Sequence, residues 1–292
     1  MEEGVSGVLL LDKPAGPSSN AVLQRARRLI GAARAGHTGT LDPRASGLLV
    51  IAVGEATKFS GGLLEADKAY RARLALGVRT ATGDAEGEVL SRSQARVSAS
   101  ELRAVLDRFR GEIAQVPPMY AAIKHQGRPL YAYARAGERV ARAPRRVAIR
   151  RLELEGLKGE EAILLVECSK GTYIRALADD IGEELGCGAH LVALVRLAVG
   201  PFTLERAIGL DALEALSPPQ RRERLLPPQA LLDSWPRLLL ARQLAAGFRR
   251  GRKAPVERSD GAVAVFDEDG AFLGTGEVSG GVLKPKRMMA SS

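Results

Sequence analysis

The densest chemical signal in this 292-residue chain is the segment GHTGTLDPRASGLL at 36–49. Its glycines permit unusual backbone angles and close approach, and Pro43 fixes the chain directly after Asp42. Such a loop holds a carboxylate, that of Asp42, in one place. The plainer alternative is a turn in which Asp42 bonds its own backbone. Neither this loop nor CSKGTY at 168–173 carries the Gly-Lys-Ser/Thr ending of a phosphate-binding loop. Downstream, CSKGTYIRALADD places Arg175 at a helix start, where an exposed capping arginine would be unremarkable. The pair Asp179-Asp180 invites an acid/base role, but acids early in a helix favourably oppose its dipole, so their expected role is structural. Cys187 and His190 form C-x-x-H, yet a structural zinc needs about four ligands and no third or fourth stands nearby. No metal site is expected.

The elements that must position these residues follow from periodicity. GVLLLDKPAGPSSN reads as a strand ending in a Pro/Gly turn, with Ser18 or Ser19 capping the next helix. That helix carries Val22, Leu23, Ala26, Leu29 and Ile30 on one face and ends near Gly31. After the Asp42 loop come the apolar strand LLVIAV and a short helix through EATKFSGGLLEADK, weakened by its glycines. In KAYRARLALG, Tyr70, Ala72, Leu74 and Leu76 alternate with Arg71 and Arg73, the period of a strand with one buried face. Tyr70 therefore points inward, as a core side chain or a pocket floor. Ser98 and Glu101 stand in capping-box spacing before Leu102, Val105, Leu106 and Phe109. The 117–146 stretch has only brief periodicity and reads as a loop ordered on binding or a protruding hairpin. A strand pair follows to about Glu167, and then a strand, turn and helix with Leu177, Ile181 and Leu185 four apart. The Pro-rich stretch at 217–236 is the expected linker. Beyond it, LLLARQLAAGF predicts a helix, and Asp269-Gly270 marks a hairpin in VAVFDEDGAFLGTGEV.

Composition narrows the partner class. Hydrophobic residues make up 46% and charged residues 26%, with no apolar run near the ~20 residues of a membrane helix and no export signal after Met1. With two cysteines in a spacing that fits neither a disulfide framework nor a zinc pattern, a reducing cytoplasm is expected. The net charge of +9 directs the molecule toward polyanions, nucleic acid first, although a basic composition alone is also compatible with an Arg-rich genome. Residues 236–292 hold 10 Lys+Arg against 6 Asp+Glu.

Five short blocks in order, GVLLLDKPAGPSSN, RAGHTGTLDPRASGLL, GEATKF, KAYR and CSKGTYIR, resemble the TruB family of tRNA pseudouridine synthases over about residues 1–200. The C-terminal module resembles that family's PUA RNA-binding domain. The resemblance implies an α+β pseudouridine synthase fold over 1–225, with a thumb-like insertion at about 117–146, and a small β-rich PUA-like domain at 236–292. It implies isomerisation of the T-loop uridine of tRNA, position 55 in tRNA numbering. Carboxylate attack on C1′, or stabilisation of positive character there, follows the logic of glycoside cleavage. No atom is gained or lost, so no cofactor is implied. Asp42 matches the nucleophile, within G-x-L-D-P-x-A-[ST]-G, and Arg175 the guanidinium that orients it through two hydrogen bonds. Tyr70 matches the tyrosine stacked on the target base, and His37 the residue filling the vacancy left by the flipped nucleotide. Tyr173 and Leu194 match the uracil pocket, while Lys13 and Pro14 match a structural motif beneath the loop. In the thumb, Lys124, Arg128, Arg135 and Arg139 are candidates for phosphate contacts. The expected partner is tRNA, with no guide RNA, no membrane and one copy of the chain.

Overall fold

The computed structural model describes residues 4–94, 96–121, 123–138 and 140–290, with Lys124, Tyr131 and Arg135 described by backbone alone. Two compact units emerge: Met1–Pro43 with Gly47–Glu65 and Gly200–Ser292, and Arg44–Ser46 with Ala66–Val199.

In the first unit, strand Gly7–Lys13 lies antiparallel to Ser46–Val53 and parallel to Ile208–Gly209, and Ala35–His37 joins the other strand's Val53 end. Both long strands are buried on both faces, which is why their sequences are continuous apolar runs rather than alternating ones. Helix Ser19–Ile30 packs Val22, Leu23, Ala26 and Ile30 against Leu9, Leu11, Leu49 and Ile51. Its N-cap is Ser18, whose hydroxyl accepts from the Ala21 amide, and Gly31 ends it at φ 74°, a left-handed conformation that glycine adopts without strain. EATKFSGGLL splits into a 3-10 segment, Gly54–Phe59, and one α turn, Gly61–Leu64, as its glycines foreshadow.

The Pro-rich stretch is not a free linker. Ser217 caps helix Pro218–Glu223 through a capping box, Leu226 and Val8 exchange two backbone hydrogen bonds, and Ala230, Leu231 and Leu232 are buried. Pro218 and Pro228 each start a helical turn there. The predicted helix LLLARQLAAGF also needs correction: Arg237–Leu240 is a strand parallel to Gly261–Asp267, and the helix starts at Arg242 and ends at Arg249. The apolar LLL run, read as helical, satisfies its backbone in a sheet. The hairpin forms, Gly261–Asp267 pairing with Phe272–Ser279, and a five-stranded sheet results. Ala245 and Phe248 pack against Val263, Val265 and Leu283 beneath it.

The second unit is an antiparallel sheet in the order Ala189–Val199, Lys68–Leu76, Glu161–Cys168, Arg145–Lys158, Gly111–Gln115. Tyr70, Ala72, Leu74 and Leu76 face inward as the alternation predicts. Helix Ala99–Arg108 starts with the expected capping box and buries Leu102 and Leu106. Helix Ile174–Glu184 buries Leu177, Ala178 and Ile181. Within 117–146 the described residues form a small hairpin, Lys124–His125 with Arg128–Pro129, followed by helix Leu130–Arg135. No described helix is long and apolar enough to cross a membrane.

Candidate active site

Asp42 is exposed at the centre of a loop whose two flanking residues are tied down. On one side, the buried Ser19 hydroxyl accepts from the Leu41 amide and donates to the Leu41 carbonyl, both at 2.9 Å. On the other, the Pro43 carbonyl accepts from the Gly16 amide at 2.8 Å and from the Lys13 ammonium at 3.0 Å. Lys13 is fully buried and also donates to the Pro14 carbonyl at 2.9 Å. A buried ammonium is costly unless carbonyls replace its water. Here the compensation fixes the loop backbone: Leu41 and Ala45 are buried while Asp42 between them is exposed. His37, half-buried, pairs across the sheet with Ile51 on the approach to this loop. Lys13 thus lies beneath the loop as a structural group, and Ser19, weighed only as a cap, is its counterpart.

In the second unit Arg175 is the second residue of its helix but is 7% exposed, so it is no surface capping arginine. Its guanidinium donates to the Tyr120 carbonyl at 2.9 Å and reaches the Thr82 carbonyl and the Asp84 carboxylate, each at 3.4 Å. The loop TGDAEG is shaped for this. The Thr82 hydroxyl donates to Asp84 at 2.5 Å, the Glu86 amide donates to the same carboxylate oxygen at 3.0 Å, and Glu86 pairs with Arg44 at 2.8 Å. Gly83, at φ 71°, lets the loop approach the helix: a Cβ there would lie 3.1 Å from the Arg175 carbonyl. Sequence reasoning missed Asp84 because a Gly-rich acidic loop far from Arg175 in the chain reads as an ordinary turn.

Tyr173 precedes the helix and is fixed by the buried Gln115, whose amide side chain accepts from its backbone N–H at 2.7 Å and donates to its carbonyl at 3.1 Å. Tyr70 is 8% exposed. In the antiparallel register Leu194 stands opposite Ala72 and Arg196 opposite Tyr70. Tyr70, Leu194 and Arg196 therefore share neighbouring strands, while Tyr173 and Arg175 share one helix entry. Arg196 is 2% exposed and hydrogen-bonds the Tyr70 side chain. It too was missed, since within LVALVRLAV an arginine at strand period reads as solvent-facing.

The remaining charged residues sort themselves by their contacts. Asp179 forms a two-pronged pair with Arg79 at 2.7 and 2.9 Å, which assigns it structure through an ion pair rather than through the helix dipole alone. Burial, with Asp179 and Glu183 nearby, pushes Asp180 up to about 6. His190 is held by the Val78 carbonyl at 2.9 Å, and among the described residues no group of three or more His, Cys, Asp or Glu is placed to hold a metal. Arg128 is engaged by Glu138 at 3.1 Å, by the Ala132 carbonyl at 2.7 Å and by the Tyr133 ring at 4.5 Å. The side chains of Lys124 and Arg135, and the whole of Arg139, lie outside the described residues.

Comparison with known proteins completes the picture. Residues 27–174 match the TruB family pseudouridylate synthase N-terminal domain. Residues 175–233 match the tRNA pseudouridylate synthase B C-terminal domain, and residues 236–289 the C-terminal domain of pseudouridine synthase II TruB. The tRNA pseudouridine synthase B of Thiobacillus denitrificans is 53% identical over 291 residues, 99% of this chain and 97% of its own. That of an Azoarcus species is 54% identical over 289 residues, 98% of this chain and 96% of its own. Among solved structures, the archaeal box H/ACA sRNP Nop10–Cbf5 complex matches with a TM-score of 0.75 at 25% identity, over 97% of this chain and 86% of that one. A Cbf5–Nop10–Gar1 complex matches at 0.76 and 26%, over 97% and 85%. The chain belongs to the TruB family of pseudouridylate synthases.

Proposed function

We propose that the chain is an isomerase that converts the T-loop uridine of tRNA, position 55 in tRNA numbering, into pseudouridine, with Asp42 as nucleophile. The observation that carries this reading is Asp42, exposed between two residues clamped by Ser19, Gly16 and Lys13, in a chain whose relatives carry the name tRNA pseudouridine synthase B. Isomerisation breaks the bond from C1′ to N1, turns the base and joins C1′ to C5. A fixed carboxylate can attack C1′ or stabilise positive character there without moving its backbone. In this reading Arg175 keeps Asp42 ionised and oriented. Tyr70 stacks on the base, Tyr173 and Leu194 line the uracil pocket, and His37 stabilises the loop from which the nucleotide is extruded.

Residues 1–225 act as the catalytic part and 236–292 as an RNA-binding module, with Lys124, Arg128, Arg135 and Arg139 meeting phosphates from the 117–146 insertion. A phosphate at Arg128 has to compete with Glu138. The partner is tRNA in the cytoplasm, and one copy of the chain acts without a guide RNA. The test is incubation of purified protein with uridine-labelled tRNA transcript and no other RNA, followed by mapping of pseudouridine. Product at position 55 is expected. Product elsewhere would keep the chemistry and replace the substrate, and no product at any uridine would refute the reading.

A further inference from the structure

Arginine has only donors on its guanidinium, so in any hydrogen bond between Arg196 and the Tyr70 hydroxyl the phenolic oxygen is the acceptor. The pairing is imposed by the sheet. Arg196 and Tyr70 are directly opposed in antiparallel register, where side chains lie on the same face about 5 Å apart at Cβ. Both are buried, at 2% and 8% exposure, in a sheet whose neighbouring inward positions are aliphatic: Ala72, Leu74, Leu164 and Val166. A cation so deep in apolar surroundings is costly unless it is well compensated, and a hydrophobic residue would serve packing better. Its position directly opposite the tyrosine gives it a reason to be there.

We infer that Arg196 is a positioning residue for Tyr70: its guanidinium donates to the phenolic oxygen, fixes the ring, and turns the hydroxyl proton away from itself. This rests on the reading of Tyr70 as the residue that meets the target base. Burial lowers the pKa of Arg196 and the contact with Tyr70 raises it, but a guanidinium stays charged at neutral pH. The fixed positive charge favours a more acidic Tyr70 hydroxyl, suited to giving or taking a proton during the rearrangement.

The test combines activity and spectroscopy. Single-turnover pseudouridine formation should fall about 10- to 100-fold in Arg196→Gln, as expected for loss of a charge-assisted hydrogen bond, with tRNA affinity unchanged. Arg196→Lys, which restores a charged donor without the planar fork, should recover part of that loss. In a Tyr70→Phe background, which keeps the ring and removes the hydroxyl, Arg196→Gln should cost less than about threefold more, because both changes remove one interaction. Multiplicative losses would overturn the inference. Independently of activity, tyrosine labelled at Cζ gives five ring signals, and Tyr70→Phe identifies one of them. Arg196→Gln or Arg196→Lys, whichever folds as judged by thermal melting, should shift the titration midpoint of that signal, upward for the glutamine by about one unit or more. An unmoved midpoint would refute it. Inactive wild-type protein on tRNA would instead count against the proposed function and leave the spectroscopic result standing.

Discussion

At the scale of single residues, the carboxylate and the guanidinium make separable predictions. Asp42→Asn keeps the size and the clamped backbone while removing the charge, so tRNA affinity should stay within about threefold and single-turnover product formation should disappear. Residual turnover above a hundredth of wild type would sink the nucleophile assignment. Arg175→Lys keeps a charge but cannot serve the Thr82 and Tyr120 carbonyls and the Asp84 carboxylate together. Its rate should drop about 100-fold or more with unchanged binding. Asp42 and Arg175 stood out in the sequence as candidates because each sits in a dense motif. Asp84 and Arg196 were not, since each acquires its partner only when a distant segment is laid alongside it.

At the scale of elements, the loop clamp and the helix Ile174–Glu184 carry the testable energetics. Replacing Lys13 by Met fills the space but removes the Pro14 carbonyl's ammonium donor and leaves the Pro43 carbonyl with the Gly16 amide. The expected cost is about 2–4 kcal/mol, and Ser19→Ala about 1–2 kcal/mol, measured by urea unfolding. A neutral result for Lys13→Met would mean that the ammonium is not what ties the loop down. In the helix, Asp180 has a native pKa of about 6 against 3.8 for an ordinary aspartate. The folded state therefore binds more protons than the unfolded one between those values, and stability falls as pH rises through that window. Asp180→Asn removes this penalty. After discounting for partial exposure it should stabilise the protein by about 1 kcal/mol at pH 7 and by nothing measurable near pH 4, where the native carboxyl is already protonated. Thermal melts at the two pH values check the sign. The caps at Ser18 and Ser98, the Gly31 terminus and the inward face of strand Lys68–Leu76 all followed from local chemistry. The Pro-rich stretch and the LLL strand did not, because their conformations are set by the strands they pair with or pack on.

For the whole molecule, the net charge of +9 and the basic C-terminal module predict binding dominated by phosphates. The affinity for a T-stem-loop transcript should fall roughly 10- to 100-fold between 50 and 200 mM salt. A salt-insensitive affinity would remove the electrostatic part of the reading and leave shape and stacking to account for binding.

The sequence by itself determined the α+β class, most of the helices and strands and the family, because caps, turn glycines, hydrophobic period and short motifs are local properties. Tertiary structure alone decided that Lys13 and Ser19 hold the Asp42 loop from opposite sides and that the TGDAEG loop meets Arg175. The same holds for Arg196, a strand arginine turned inward onto Tyr70. Each of these joins residues 22 to 126 positions apart. A buried charge carries no local signature, since its cost is offset by groups whose proximity only the folded chain creates.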